Sequence, residues 1–155
     1  MVAFFITGIL VFCQFCRDNP EEIVTVTGNN TRPIEELKRL VLLKGDKKAF
    51  DELMIAYFNE QYTGEYLFYA LFMANKYNYP QAYFDVYQEL ENLESPYGRS
   101  IYEKDTRGFM LEYLKKGAYL GHGQSKYELG NLYMEGKYLP KDTVLGKELM
   151  AGFSF

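Results

Sequence analysis

The chain is poor in the residues from which most catalytic and metal sites are built. Its 155 residues include one histidine, His122, two cysteines, Cys13 and Cys16, and no tryptophan. A zinc or thiol site needs several such side chains at a suitable spacing, and no glycine-rich phosphate loop or zinc-protease helix occurs in the sequence. We therefore expect no metal, no cofactor and no enzymatic activity. A small hydrolase or metalloprotein that uses His122 is the alternative.

The sequence also lacks a long run of positive charge. It contains 17 Lys and Arg residues against 21 Asp and Glu residues, which gives a net charge of −4. Nucleic-acid binding depends on clustered cationic side chains. The nearest candidate cluster comprises Lys44, Lys47 and Lys48, and acidic residues interrupt and follow it, as expected of a solvated helix start. We predict no nucleic-acid partner.

A long apolar run occurs only at the N-terminus. Residues 2–16 are apolar except for one threonine and one glutamine. This run is shorter than the roughly 20 residues that a membrane-spanning helix needs. It matches the apolar region of a signal peptide in length, although no Lys or Arg precedes it. The predicted organisation is a signal-like or membrane-tether segment at 1–16, a linker at 17–32 and a helical repeat domain at 33–155.

Both cysteines lie in this apolar segment. Acylation of a cysteine at the end of such a segment would tether the protein to a membrane, but Phe12 and Phe15 precede the cysteines where a small residue is expected. The sequence predicts export or membrane association, in the periplasm or cell envelope of a bacterium. A buried apolar segment is the alternative.

Aromatic residues and helical periodicity, by contrast, are plentiful. The chain has 15 Tyr and 12 Phe, and tyrosine suits helix seams because its ring packs while its hydroxyl reaches a polar partner. Apolar residues recur with helical spacing between capping signals. The predicted helices span 33–43, 46–59, 65–77, 80–93, 105–119, 123–135 and 141–151, with an irregular insertion at 94–104.

Three of these helices have predicted buried positions. The first is expected to bury one face, the second to bury four residues, and the third, which is apolar almost all round, to lie between neighbours. The residues are Ile34, Leu37, Leu40 and Val41 for the first, Phe50, Leu53, Met54 and Tyr57 for the second, and Leu67, Phe68, Ala70, Leu71 and Phe72 for the third.

One spacing recurs along the chain. A small residue, a leucine or valine, and a tyrosine or leucine follow one another at intervals of four, which places them on one helix face. A recurrence of helix pairs every 38 residues or so is typical of an α-solenoid. The sequence predicts an all-α protein, an α-solenoid of about three helix-turn-helix repeats with a leading capping helix. The recurring sets are Ala49, Leu53 and Tyr57 after Gly45, then Ala82, Val86 and Leu90, and finally Ser125, Leu129 and Tyr133 after Gly121.

The third unit carries a more specific pattern. It contains Gly121-His122, Leu129-Gly130, Tyr133, Gly136 and Pro140-Lys141-Asp142. These residues resemble the Sel-one-like repeat, a branch of the tetratricopeptide superfamily, with Ser125 in place of the usual alanine. The resemblance is specific over 111–150 and loose over 45–92, where Met54 replaces a glycine. It implies a partner-binding scaffold without catalytic residues.

The resemblance also implies where a partner would bind. In a superhelix of helix pairs, the first helix of each pair lines the concave side, and the stripe beside its buried positions faces the groove. Aromatic rings mixed with amides suit an extended peptide or a partner's loop. The expected function is a protein-protein interaction scaffold, with an immunity or inhibitor protein that neutralises a toxin through the same surface as the alternative. The predicted partner-binding residues are Lys48, Asp51, Ile55, Gln81, Phe84, Gln88, Gln124, Tyr127 and Asn131.

Overall fold

Seven α-helices account for most of the described part of the chain. The computed structural model describes residues 32–59, 64–94 and 104–151, and within these residues there is no strand. The prediction of an all-α protein is confirmed, and each helix begins and ends within two residues of its predicted bounds. The helices are α1 (Ile34–Lys44), α2 (Lys47–Asn59), α3 (Glu65–Tyr77), α4 (Pro80–Glu94), α5 (Lys104–Tyr119), α6 (Gly123–Glu135) and α7 (Thr143–Met150).

Some predictions concern residues outside the described ones. These are the apolar segment 1–16 with both cysteines, the linker as far as residue 31, and residues 95–103 of the predicted insertion. Arg32, predicted as the last linker residue, lies within the described part of the chain and is bonded to α2. Its guanidinium forms two hydrogen bonds with the carboxylate of Glu52, at 2.9 and 2.6 Å.

Short-range signals in the sequence define several helix ends. The Asp46 carboxylate accepts a hydrogen bond from the backbone N–H of Ala49 at the start of α2, and Asp142 accepts two such bonds at the start of α7. These are the contacts that favour aspartate before a helix. Helix α1 ends at Gly45, which has a φ of 62°. A side chain there would also collide with the ring of Tyr77, 2.6 Å from the position of a Cβ atom.

Each described helix packs chiefly on a helix adjacent to it in the chain, and α2 packs on α1 rather than on α3. The main contacts join α1 to α2, α3 to α4, α4 to α5, α5 to α6 and α6 to α7, while α3 also contacts α1 and, less closely, α2. One apolar core runs through the whole series. Its fully buried members include Leu37, Phe50, Leu53, Met73, Val86, Tyr87, Met110, Leu114 and Leu132.

The four-residue spacing correctly identifies the buried face of α2, α4 and α6. Eight of the nine residues in the recurring sets are buried, and Tyr133 is partly buried. Helices α6 and α7 approach each other closely at Gly130 and Gly146. A Cβ atom on Gly130 would lie 2.8 Å from the carbonyl oxygen of Gly146, so the crossing requires a glycine at this position.

Two predictions of burial are wrong. Met54 is 38% exposed, because it lies on the side of α2 that faces a cleft rather than a helix. Phe68 is 55% exposed, and Leu67, Leu71 and Phe72 are only partly buried. Among the described residues α3 packs on α1, α2 and α4, yet part of its surface stays exposed, so it is not enclosed as its composition suggested. Its buried residues are Tyr66, Tyr69, Ala70, Met73 and Ala74.

Candidate functional site

A cleft of about 290 Å³ lies between α2 and α4. It is formed by side chains from one turn of α2, from the first turn of α3 and from the middle of α4. Two of the predicted partner-binding residues, Ile55 and Gln88, lie on opposite sides of it. The lining residues are Met54, Ile55, Phe58, Tyr66, Asp85, Gln88, Glu89 and Asn92.

The α2 side of the cleft is apolar and faces solvent. Phe58 is 76% exposed, Ile55 is 44% exposed and Met54 is 38% exposed. They occupy neighbouring positions on one face of α2, because residues three and four apart in a helix lie side by side. Large apolar side chains grouped on a surface mark a site for contact with another molecule.

The inner part of the cleft holds two buried carboxyl groups from α4. Asp85 is 3% exposed and Glu89, one turn further along, is 5% exposed. The hydroxyl of Tyr66 donates a hydrogen bond of 2.6 Å to Asp85 Oδ2. The side-chain amide of Gln81 donates a second bond, of 2.7 Å, to Asp85 Oδ1. Asp85 is therefore held in one orientation by two neutral donors.

The surroundings of Asp85 oppose its ionisation. Burial raises the pKa of the Asp85 carboxyl to about 6. The two hydrogen bonds lower this pKa, while the carboxylates of Asp51 and Glu89 raise it further. Burial also raises the pKa of Tyr66, so its hydroxyl keeps the proton that it donates. Carboxyl groups with a shifted pKa beside a cleft are typical of functional sites.

A chain of hydrogen bonds links this carboxyl to α6. The oxygen of the Gln81 amide lies 2.8 Å from Nε2 of His122. An amide oxygen only accepts, so Nε2 carries the proton and Nδ1 is the acceptor for the backbone N–H of Ser125, 3.3 Å away. Burial lowers the pKa of His122, which favours this neutral form. His122 therefore caps α6 and connects it to α4.

The nine predicted partner-binding residues have different surroundings. Ile55 and Gln88 line the cleft, and Gln81 belongs to the hydrogen-bond chain. Phe84 is only 7% exposed, and its ring centre lies 5.3 Å from that of His122. Phe84 is therefore part of the packed interior rather than of the surface, and a substitution of Phe84 would disturb packing. Of the others, Lys48, Asp51 and Gln124 are exposed, and Tyr127 and Asn131 are partly buried.

The sequence analysis missed most of the cleft. Asp85 and Glu89 are four residues apart on α4, next to the positions that the sequence predicts to be buried. Two acidic residues with this spacing beside a buried face were the available signal. Met54 and Phe58 flank Ile55 with the same spacing on α2. Only the folded structure, in which both helices line one cleft, brings these two sets of residues together.

The described residues contain no cluster of three or more His, Cys, Asp and Glu side chains arranged to hold a metal ion. None of the helices in the described ranges has the length and apolarity to cross a membrane. Comparison of the chain with protein-family models, with curated proteins and with solved structures finds no match to any of them.

Proposed function

We propose that the protein is a non-enzymatic interaction scaffold that binds a protein or peptide segment in the cleft between α2 and α4. The observation that carries this proposal is the pairing of exposed apolar residues, Ile55 and Phe58, with the buried polar groups of α4 across a cleft of about 290 Å³. Interfaces commonly combine an apolar contact area with a few fixed polar groups.

The proposed architecture is a solenoid of about three helix pairs, α2 with α3, α4 with α5 and α6 with α7, preceded by α1 as a cap. Close packing of α4 on α5 and of α6 on α7 supports the second and third pairs, whereas α2 contacts α3 less closely than it contacts α1. The recurring buried spacing on α2, α4 and α6 also supports the proposed architecture. The resemblance to Sel-one-like repeats stays a prediction and adds the expectation of a partner-binding surface.

Side-chain contacts also connect the first helices of successive pairs. The hydroxyl of Tyr87 on α4 lies 3.3 Å from Oε1 of Glu128 on α6. The hydroxyl of Tyr79, just before α4, donates a 3.4 Å hydrogen bond to Asp51 on α2. Stacked first helices would form one continuous face, and the cleft would be part of this face.

Matched variants test the proposed site. Phe58→Lys places a positive charge at the cleft on a residue that is 76% exposed, while Leu43→Lys makes the same kind of change on α1 at a residue that is 69% exposed. Both variants should fold like the wild type. We expect proteins captured by the wild-type chain from its source cells, and identified by mass spectrometry, to be lost with Phe58→Lys and kept with Leu43→Lys. Equal capture by both variants would contradict the site.

The proposal includes export or membrane tethering through the N-terminal segment, on the strength of its apolar composition. The intact mass of the protein from its source cells tests this part separately. Loss of about the first 16 residues, as for a cleaved signal peptide, or an added acyl mass would agree with it. An unmodified full-length chain in the soluble cell fraction would contradict it.

A further inference from the structure

We infer that the cleft between α2 and α4 receives a lysine or arginine side chain of the bound partner. Its aliphatic stem would lie against Ile55 and Phe58, and its cationic head would meet the carboxyl groups of Asp85 and Glu89. This inference rests on the proposed function, because it names the chemistry that the proposed partner presents to the cleft.

The distribution of apolar and acidic groups in the cleft matches the shape of such a side chain. Lysine and arginine combine an apolar stem with a charged end. In the cleft, the apolar residues of α2 are exposed, whereas Asp85 and Glu89 are buried at 3% and 5% exposure. A side chain that enters past Phe58 therefore meets apolar surface first and carboxylates last. The volume of about 290 Å³ is near the lower limit of the roughly 300–1,000 Å³ typical of ligand pockets, which suits a single side chain.

The charges around Asp85 favour a cation as the occupant. Its two hydrogen-bond donors, Tyr66 and Gln81, are neutral, and the carboxylates of Asp51 and Glu89 have the same sign as its own. Lys47 is a cation on the same helix as Asp51, and its Nζ lies over the ring of Tyr79, 5.0 Å from the ring centre. A buried carboxylate is unfavourable unless a cation accompanies it. A partner's cation would supply that charge.

Other occupants fit the cleft less well. An acidic side chain would be repelled by three carboxylates within the same region, Asp51, Asp85 and Glu89. An uncharged aliphatic side chain would exclude water from Asp85 without offering it a donor, which increases the unfavourable burial. A peptide with lysine at the contact position should therefore bind better than the same peptide with norleucine, which has a similar stem and no charge.

A peptide library tests the inference on the full-length chain. Random seven-residue peptides displayed on phage are selected on the wild-type protein, and peptides that also bind Phe58→Lys, whose added positive charge repels a basic side chain, are removed. We expect the remaining sequences to share a Lys or Arg at one fixed position. Replacing that residue by norleucine should weaken binding about tenfold or more, the range of a charge-assisted hydrogen bond. The Glu89→Gln variant should reduce this preference for lysine, and the Leu43→Lys control should keep it.

The outcomes separate the inference from the proposed function. Selected peptides that require Phe58 but show no basic residue, or that bind equally with lysine and norleucine, would overturn the inference and leave the cleft as the binding site. Peptides that bind Phe58→Lys as well as the wild type, or a selection that enriches no peptide, would count against the proposed site and the inference together. Because the norleucine comparison uses the wild-type protein, it holds even if the Glu89→Gln variant fails to fold.

Discussion

The junction between α4 and α6 differs from the junction between α2 and α4, although the same four-residue spacing buries all three helices. Between α4 and α6, the ring of Phe84 packs on His122 and the hydroxyl of Tyr87 reaches Glu128. Between α2 and α4, exposed Ile55 and Phe58 face buried Asp85 and Glu89 across a cleft. The buried residues of α2, α4 and α6 follow one spacing. The residues beside them determine whether a junction is filled or open.

The largest expected difference between the two junctions is in packing. Phe84→Ala removes a ring that is 7% exposed, and we expect it to lower the free energy of unfolding by about 3 kcal/mol. Phe58→Ala removes a ring that is 76% exposed and should change it by less than about 0.5 kcal/mol. Urea unfolding followed by circular dichroism measures both values. Similar losses for the two variants would mean that the junctions are filled to the same degree.

The next prediction concerns the pH dependence of stability. Asp85 ionises near pH 4 in the unfolded chain but near pH 6 in the folded chain. Between these values the folded state holds more protons, so the free energy of unfolding falls as the pH rises, and the loss is complete above pH 6. We expect the free energy of unfolding of Asp85→Asn to show no such fall. The variant should therefore gain about 1–3 kcal/mol in stability relative to the wild type as the pH rises from 4 to 7.

The measurement is urea unfolding at pH 4, 5, 6 and 7. Glu112→Gln, a change at an exposed residue of α5, controls for the loss of one carboxylate. Parallel pH profiles for the wild type and Asp85→Asn would show that this carboxyl is not buried as described. A stabilised variant that has also lost its peptide ligand would identify Asp85 as a group kept for binding at a cost in stability.

A smaller effect is expected at the filled junction, at His122. His122→Ala removes the cap of α6 and the donor to Gln81, so we expect a loss of about 1–2 kcal/mol. Asp142→Ala removes only the cap of α7, and its loss should be about 1 kcal/mol. Urea unfolding at pH 7.5 measures the loss of stability in both variants. An equal or smaller loss for His122→Ala than for Asp142→Ala would show that the bond to Gln81 contributes nothing.

The pH dependence of the His122 contribution has the opposite sign from that of Asp85. Burial lowers the pKa of His122 in the folded chain, so the unfolded state takes up protons first and stability falls as the pH drops below about 6.5. We expect the difference between the wild type and His122→Ala to narrow between pH 7.5 and 5.5. A constant difference over this range would contradict the neutral, capping role.

The sequence is sufficient to predict the helices but not the cleft. Capping signals such as Asp46 and Asp142, and the spacing of Ala49, Leu53 and Tyr57, are local, so they predict helix ends and buried faces correctly. The surroundings of Phe84 and Ile55 depend on the neighbouring helix. Both were predicted to face a groove, yet Phe84 is covered by His122, whereas Ile55 remains exposed.

The two wrong predictions of burial have the same cause. Met54 and Phe68 are apolar residues on helices with otherwise correct buried faces, and their exposure follows from the absence of a covering helix on that side in the described structure. Local periodicity contains no information on how far apart two neighbouring helices stand. The buried carboxyl groups of Asp85 and Glu89 were missed for the same reason.

Site-specific crosslinking tests the central claim most directly, namely that a partner occupies the cleft between α2 and α4. A photoreactive phenylalanine analogue is placed at position 58 in one version of the chain and at position 43 in another, and each is irradiated in the source cells. The account predicts that a discrete crosslinked protein forms from position 58 and not from position 43. The same crosslinks from both positions, or none from position 58, would contradict it.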